Sequence, residues 1–345
     1  MKILVTGGAG FIGSNFIRYL LARHAADEVV NLDALKYAGN LENLADIADD
    51  RRYRFVHGDI ADADIVRQAM PEVAAVVNFA AESHVDRSIE DPEAFLHTNA
   101  TGTLVLLQAA QRAGVQRFVQ VSTDEVYGSL GGSGRFNESS PLRPSSPYAA
   151  SKAAADLLAL SFWNTYRAPV VVTRCSNNFG PYQFPEKVIP LFVTNALMDH
   201  PLPLYGDGMN VRDWIYVEDH CAALDLVLRG GRSGEVYNIG ASNERTNLEL
   251  TELILGVLDK PLSLIRHVSD RPGHDRRYAL DATKMRAEFD WRPLHTFDDA
   301  LRQTVLLYRD NPTWWQRVKS GDYRTYYQRM YGERLRAAQQ RRPAS

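Results

Sequence analysis

The sequence predicts an α/β protein: a doubly wound parallel sheet of the Rossmann type with a smaller α/β substrate-binding lobe. Three observations carry that expectation. A glycine-rich turn, Gly7-Gly8-Ala9-Gly10-Phe11-Ile12-Gly13, lies between a short apolar run and a helix-like pattern. Short apolar runs then alternate with helical stretches, the pattern of parallel strands joined by crossover helices. A polar cluster, Ser122-Thr123-Asp124-Glu125-Val126-Tyr127-Gly128, directly follows one of these runs. In open α/β sheets ligands bind in the crevice beyond the carboxyl ends of the strands.

The composition sets outer bounds. With 345 residues, 45% hydrophobic and 23% charged, the chain has ordinary globular character and length for about two lobes. A formal net charge of -3 gives no reason to expect nucleic acid as a partner. Cys175 and Cys221 make no disulfide framework and match no zinc spacing, so buried reduced thiols in a cytoplasmic protein are expected. Met1-Lys2 leads straight into Ile3-Leu4-Val5, so no secretory leader is expected. No apolar run approaches the roughly 20 residues that span a bilayer, so no membrane partner is expected either.

Ile3 to Thr6 reads as a buried strand, and the helix after the glycine turn runs to about Arg23. The turn matches G-x-G-x-x-G through Gly8, Gly10 and Gly13, and G-x-x-G-x-x-G through Gly7, Gly10 and Gly13. Glycines let the backbone approach a pyrophosphate whose charge sits on a helix N-terminus. The next strand, Glu28 to Leu32, ends at Asp33, twenty residues beyond Gly13. An acidic residue there bonds an adenosine ribose and repels a 2′-phosphate, so NAD is expected rather than NADP. Tyr53 to Val56 and Ala74 to Phe79 are further strands, the second ending in Ala80 and Ala81, small enough for a cofactor to lie close. A helix is expected from Pro92 to Ala113, then the strand Gln116 to Val121 that leads into the polar cluster.

Tyr148 and Lys152 lie four apart on one face of a helix expected to run to Tyr166. A phenol is a poor base at pH 7, and bringing it there takes about 4 kcal/mol. A neighbouring ammonium and a positive nicotinamide ring favour the phenolate. Asp124 and Glu125 share one substrate only if their strand has ended, because successive strand residues face opposite ways. Their other readings are a solvated turn or, with His84 and Asp86, a metal site; no metal is expected because the ligand spacing is wrong.

Pro169 to Thr173 is a strand. Beyond Arg174, Pro, Gly and polar residues crowd together, and a helix is expected from Ile189 to Met198. Trp214 to Val217, Glu218 to Leu228 and Glu235 to Ile239 read as strand, helix and strand, with Asn247 capping a helix Leu248 to Leu258. The division expected is 1–176 as NAD-binding domain, with 212–240 returning to it. Segments 177–211 and 241–315 form the substrate lobe, and 316–345 a helical tail. The tail's Arg324, Arg329, Arg334, Arg336, Arg341 and Arg342 read as a solvated amphipathic helix rather than a nucleic-acid arm.

These residues resemble the extended short-chain dehydrogenase/reductase family, and more narrowly its branch that dehydrates nucleotide sugars. Gly7 to Gly13, Asp33 and Tyr148-x-x-x-Lys152 carry the family-wide part. The narrower part rests on Ala80 to Ser88, Ser122 to Gly128, Asn177 to Gln183, Arg212-Asp213-Trp214 and Arg271 to Arg276. Lys36 departs from the branch, where Thr follows Asp-Ala-Leu. The resemblance implies dTDP-glucose as substrate, NAD as cofactor, loss of water between C5 and C6 after transient oxidation at C4, and a homodimer built on the two long helices. It makes Tyr148, with Lys152, the base at C4, Thr123 a bond to the C4 oxygen, Asp124 the acid and Glu125 the C5 base. The cofactor contacts it implies are Gly7, Gly10, Phe11, Ile12, Gly13 and Asp33, with Ala34, Leu35 and Lys36 beside it. Asp59, Ile60, Ala80, Ala81, Ser83, Thr98, Tyr148, Lys152 and Asn178 complete them. For the substrate it implies Ser83, Thr123, Asn177, Lys187, Val188, Pro203 and Arg212, then Asn247, Arg271 and His274. Tyr205 is a candidate for stacking on the base. Two rival readings stand. A 4-epimerase needs the Tyr-Lys pair but no C5 base, and a non-catalytic NAD sensor needs neither.

Overall fold

The computed structural model describes residues 1–319 and 322–340. Strands run in the order β1 (Lys2–Thr6), β2 (Glu28–Asp33), β3 (Tyr53–His57), β4 (Ala75–Asn78), β5 (Arg117–Thr123) and β6 (Val170–Cys175). There follow β7 (Asn177–Phe179), β8 (Leu202–Tyr205), β9 (Val211–Tyr216), β10 (Val236–Ile239), β11 (Glu244–Thr246) and β12 (Ile265–Val268). Seven of them form one sheet in the order β10-β6-β5-β4-β1-β2-β3, parallel throughout. The central strands are apolar without alternation because helices cover both faces, as the burial of all four residues of Ala75–Asn78 shows. The strand order reverses between β1 and β4, which places a crevice beyond their carboxyl ends.

Two large apolar clusters fill the two faces of this sheet. A third, around Phe179, Phe192, Trp214, Leu250 and Tyr308, is the core of the smaller lobe. That lobe holds a three-stranded sheet, β11-β9-β7, and a parallel pair, β12-β8. Of the stretch 212–240, the helix Val217–Gly230 and β10 pack with the large sheet, while β9 pairs with β7 and β11 instead. The helix expected from Leu248 begins at Asn247 and is capped by Thr246, not Asn247. Thr246 accepts from the Glu249 N–H, and Glu249 accepts from the Thr246 N–H, a reciprocal capping box.

The helix expected over Pro92 to Ala113 is continuous, but Leu96–Gly102 widens into a π turn. The extra turn width brings Asn99 inward, where its amide clasps the Glu82 N–H and carbonyl at 2.9 and 3.0 Å. π turns recur where a helix serves a site, and this one fixes the loop after β4.

The C-terminal segment differs from the solvated helix expected. Tyr323, Tyr326 and Tyr331 recur at three- to five-residue spacing and are buried. The Tyr323 hydroxyl donates to the Pro185 carbonyl (3.0 Å), and the Arg334 guanidinium donates to the Tyr205 hydroxyl (2.6 Å). The apolar stripe of tyrosines, not the arginine series, decides how this segment packs. Arg341 and Arg342 lie outside the described residues.

Candidate active site

A cleft opens at the carboxyl ends of β1, β2, β4, β5 and β6. Its floor is the glycine turn. Gly7 has φ +69°, and a Cβ there would come within 2.7 Å of the Ala80 nitrogen. A Cβ on Gly13 would run into the Gly7 carbonyl, so the helix Phe11–Arg23 starts tight against the turn only because this position is bare. Phe11, Ile12 and Gly13, in its first turn, line the cleft. Asp33, at the end of β2, is buried. It accepts from the Ala9 N–H at 2.9 Å and the Leu35 N–H at 2.8 Å, while burial pushes its carboxyl up. Lys36 donates to the Thr98 hydroxyl at 3.0 Å and pairs with Asp59 at 3.2 Å. The turn, the acid at the end of β2 and the helix N-terminus together fit a dinucleotide.

Every residue expected to hold the cofactor lines this cleft except Leu35, whose backbone N–H instead braces Asp33. Of those expected on substrate, Ser83, Thr123, Asn177 and Lys187 line it. The Asn177 side-chain oxygen is buried without a partner, and the Lys187 ammonium donates to the Ser83 carbonyl at 2.6 Å. Arg212, Tyr205, Arg271 and His274 form a second group beside the cleft. Arg271 pairs with Asp86 at 2.9 Å, and Tyr205 donates to the same carboxylate at 3.2 Å. His274 sits edge-on to Tyr205, its ring held down to about 4 by burial and by Arg271. Arg212 lies over the Tyr278 ring, 4.4 Å from its centre. Val188 opens the helix Val188–Leu197 and packs into the lobe core. Pro203 is inside β8, and Asn247 is tied to Asn210 through its backbone; none of these three lines the cleft.

The reactive groups converge where β5 ends. The strand stops at Thr123, and Asp124–Tyr127 turns into a 3₁₀ helix capped by the Thr123 hydroxyl. Ending the strand there brings two consecutive carboxylates to one place, as sharing a substrate requires. Asp124 is 2% exposed, and one of its carboxyl oxygens has no partner. Burial, then the Glu125 and Asp213 charges, push its pKa well above the carboxylate range. Glu125 is half-buried. Burial raises it too, but Arg271, Lys187 and Arg212 pull against that and favour its ionised form. Both neighbours are thus pushed up, Asp124 much further than Glu125.

Tyr148 and Lys152 are both buried, on the helix Pro147–Tyr166. The Lys152 ammonium donates to the Val121 carbonyl at 2.7 Å. Contrary to the expectation of a lowered phenol, burial and the Glu125 charge push Tyr148 well above its usual value, opposed by a bond with Thr123. The Lys152 ammonium keeps its charge while bonded to that carbonyl, and a further cation in the cleft would add to its pull toward phenolate. Tyr37, Glu82, Cys175 and Phe184 also line the cleft, although none of them is assigned a place in the site by the sequence. Burial pushes the Cys175 thiol up to about 12, so it lines the wall as an inert group.

The GDP-mannose 4,6 dehydratase family model matches residues 4–304. A dTDP-glucose 4,6-dehydratase from Streptomyces niveus is 55% identical over 329 residues, covering 94% of this chain and 98% of that protein. The chain belongs to the dTDP-glucose 4,6-dehydratase family. A solved dTDP-glucose 4,6-dehydratase from Streptomyces venezuelae, with NAD bound, is 56% identical at TM-score 0.91, covering 92% of this chain and 100% of that one. The fold reaches beyond dehydratases. A Thermus thermophilus UDP-glucose 4-epimerase in complex with NAD superposes at TM-score 0.84 with 34% identity, covering 90% of this chain and 100% of that one.

Proposed function

We propose that this chain converts dTDP-glucose to dTDP-4-keto-6-deoxyglucose and water, with NAD as a catalytic cofactor. The observation that carries it is the Asp124-Glu125 pair, both raised by burial but Asp124 much further because three cations oppose the rise at Glu125, opening into the same cleft as Tyr148 and Lys152. A 4-epimerase or a bare NAD sensor has no use for that pair.

The glycine turn, Asp33 and Ala80 would hold the dinucleotide, with Lys36, Asp59 and Thr98 along its edge. Bound NAD supplies the hydride acceptor for C4 and, once reduced, the donor for C6. Tyr148 takes the C4 hydroxyl proton, and Thr123 bonds the C4 oxygen. The C4 ketone acidifies C5, so Glu125 can remove that proton while Asp124 protonates the departing C6 hydroxyl. Glu125 then returns its proton to C5. The cycle leaves Tyr148 holding a proton and Asp124 lacking one; Thr123, bonded to both, links them. Lys187, Arg212 and Arg271 face the diphosphate, whose charge they match. Asn177, Ser83, Tyr205 and His274 frame the remainder of the nucleotide sugar.

The assay is direct. Incubated with dTDP-glucose, the protein should yield a 4-keto-6-deoxy product, lighter by one water and absorbing in alkali. Recovery of the galactose isomer would instead make it an epimerase, and unchanged substrate would overturn both.

The same reading takes the chain to be a cytoplasmic homodimer. Leu96 and Leu157, on the two long helices, are 52% and 59% exposed, and Ile89 and Tyr166 flank them. Such an apolar face suits a self-complementary contact. Light scattering should return twice the chain mass of 38.7 kDa, and Leu96→Glu with Leu157→Glu should halve it. A monomer in the unmodified protein would refute the contact. Among the described residues no helix is long and apolar enough to cross a membrane.

A further inference from the structure

Behind the cleft lies a buried polar chain that the chemistry above does not use. Arg174, on β6, is 3% exposed and meets the fully buried Asp156 carboxylate at 2.9 Å. The other arm of its guanidinium donates to the Tyr127 hydroxyl at 3.0 Å. Tyr127 in turn donates to the Asn238 side-chain oxygen at 2.7 Å, and Asn238, on β10, donates to the Phe136 carbonyl at 3.0 Å. The Arg174 guanidinium also lies 4.8 Å from the centre of the Tyr127 ring.

The ends of this chain are what matter. Asp156 is four residues beyond Lys152 and eight beyond Tyr148, so it stands on the same face of the same helix. Tyr127 closes the 3₁₀ turn that begins with Asp124 and Glu125. One buried guanidinium therefore joins the helix that carries the C4 base to the turn that carries the C5 base and the C6 acid. Removing water from such a network makes its geometry stiff and its loss costly.

We propose that Arg174 and Tyr127 are positioning residues that hold the acid–base turn in register with the Tyr148 helix, so that oxidation at C4 is followed at once by elimination. This rests on the dehydratase reading above. Neither residue touches substrate; each acts through the turn. If the turn drifts by about 1 Å, elimination suffers while the oxidising pair, anchored on its own helix and on Val121, does not.

Tyr127→Phe is the test. It removes one hydroxyl and keeps the ring that stacks on Phe136 at 4.9 Å. In single-turnover mixing with dTDP-glucose, oxidation at C4 should stay within about twofold of the unmodified rate, while elimination slows ~10-fold. Reduced cofactor should then accumulate as a transient near 340 nm. KM for the nucleotide sugar should hardly move. Asn238→Ala, which cuts the other bond to the same hydroxyl, should give the same transient more weakly. Two results would overturn the proposal: both partial reactions falling together, as general loosening predicts, or both unchanged. If the unmodified protein forms no 4-keto-6-deoxy product, the dehydratase reading fails instead, and that outcome is read before any variant is made.

Discussion

Replacing Tyr148 with Phe should slow product formation by about 10²–10⁴-fold, the usual contribution of a positioned acid–base group, and should abolish reduced cofactor in single-turnover mixing. In the proposed reaction Tyr148 takes the C4 hydroxyl proton, and nothing after that step can start without the ketone. The loss should appear in kcat, with nucleotide-sugar and NAD binding unchanged in calorimetry, because the phenol oxygen meets substrate only at the reacting atoms. The pH dependence follows from the environment. Burial and the Glu125 charge raise Tyr148, so its basic form grows with rising pH, and the acid limb of C4 oxidation belongs to this phenol in the loaded site. Lys152→Met removes a buried cation, so that limb should move to higher pH. Normal C4 oxidation in the Phe variant would remove Tyr148 from the role.

How much of this was legible in the sequence depends on how local the information is. The Rossmann half was readable because each unit is strand, turn and helix in succession. Gly7 to Gly13, Asp33 and the Tyr148–Lys152 spacing each report on neighbours within a few turns of chain. The strands from β1 to β6 and β10 appear within two residues of where the apolar runs put them. The substrate side is different. Asp86 meets Arg271 and Tyr205 across 185 and 119 residues, and no periodicity encodes those meetings. The C-terminal tyrosines were overlooked because arginines dominate that stretch by count, while burial is decided by the spacing of the rings. Lys152 misled in another way. Its position four residues from Tyr148 is a helical fact, but where its ammonium points is set by the end of β5, a tertiary one. The Thr246 cap lost to Asn247 for a smaller reason: adjacent residues are both good caps, and the reciprocal bond to Glu249 decides between them.

Glu125→Gln should separate the two halves of the reaction. Gln keeps the size of the side chain and the backbone N–H that Thr123 accepts, so the turn should keep its shape. What goes is the negative charge among Arg271, Lys187 and Arg212, and with it the ability to take the C5 proton. Substrate should still be oxidised at C4, and the reduced cofactor should persist, since no elimination follows to consume it. Overall dehydration should fall by about 10²–10⁴-fold. Exchange of the C5 proton with heavy water, followed by mass, gives a second readout that depends on this carboxylate alone and should be lost. The pH profile has a definite sign. Burial raises Glu125, and a base works only when ionised, so its limb lies above the ordinary carboxylate range, with activity falling as pH drops through it. Asp124 acts as the acid only while protonated, and burial with the Glu125 and Asp213 charges pushes it in that direction, further than Glu125. In Glu125→Gln the acid limb of elimination should vanish while that of C4 oxidation remains. Dehydration at the normal rate, or C5 exchange that survives the substitution, would place the base elsewhere.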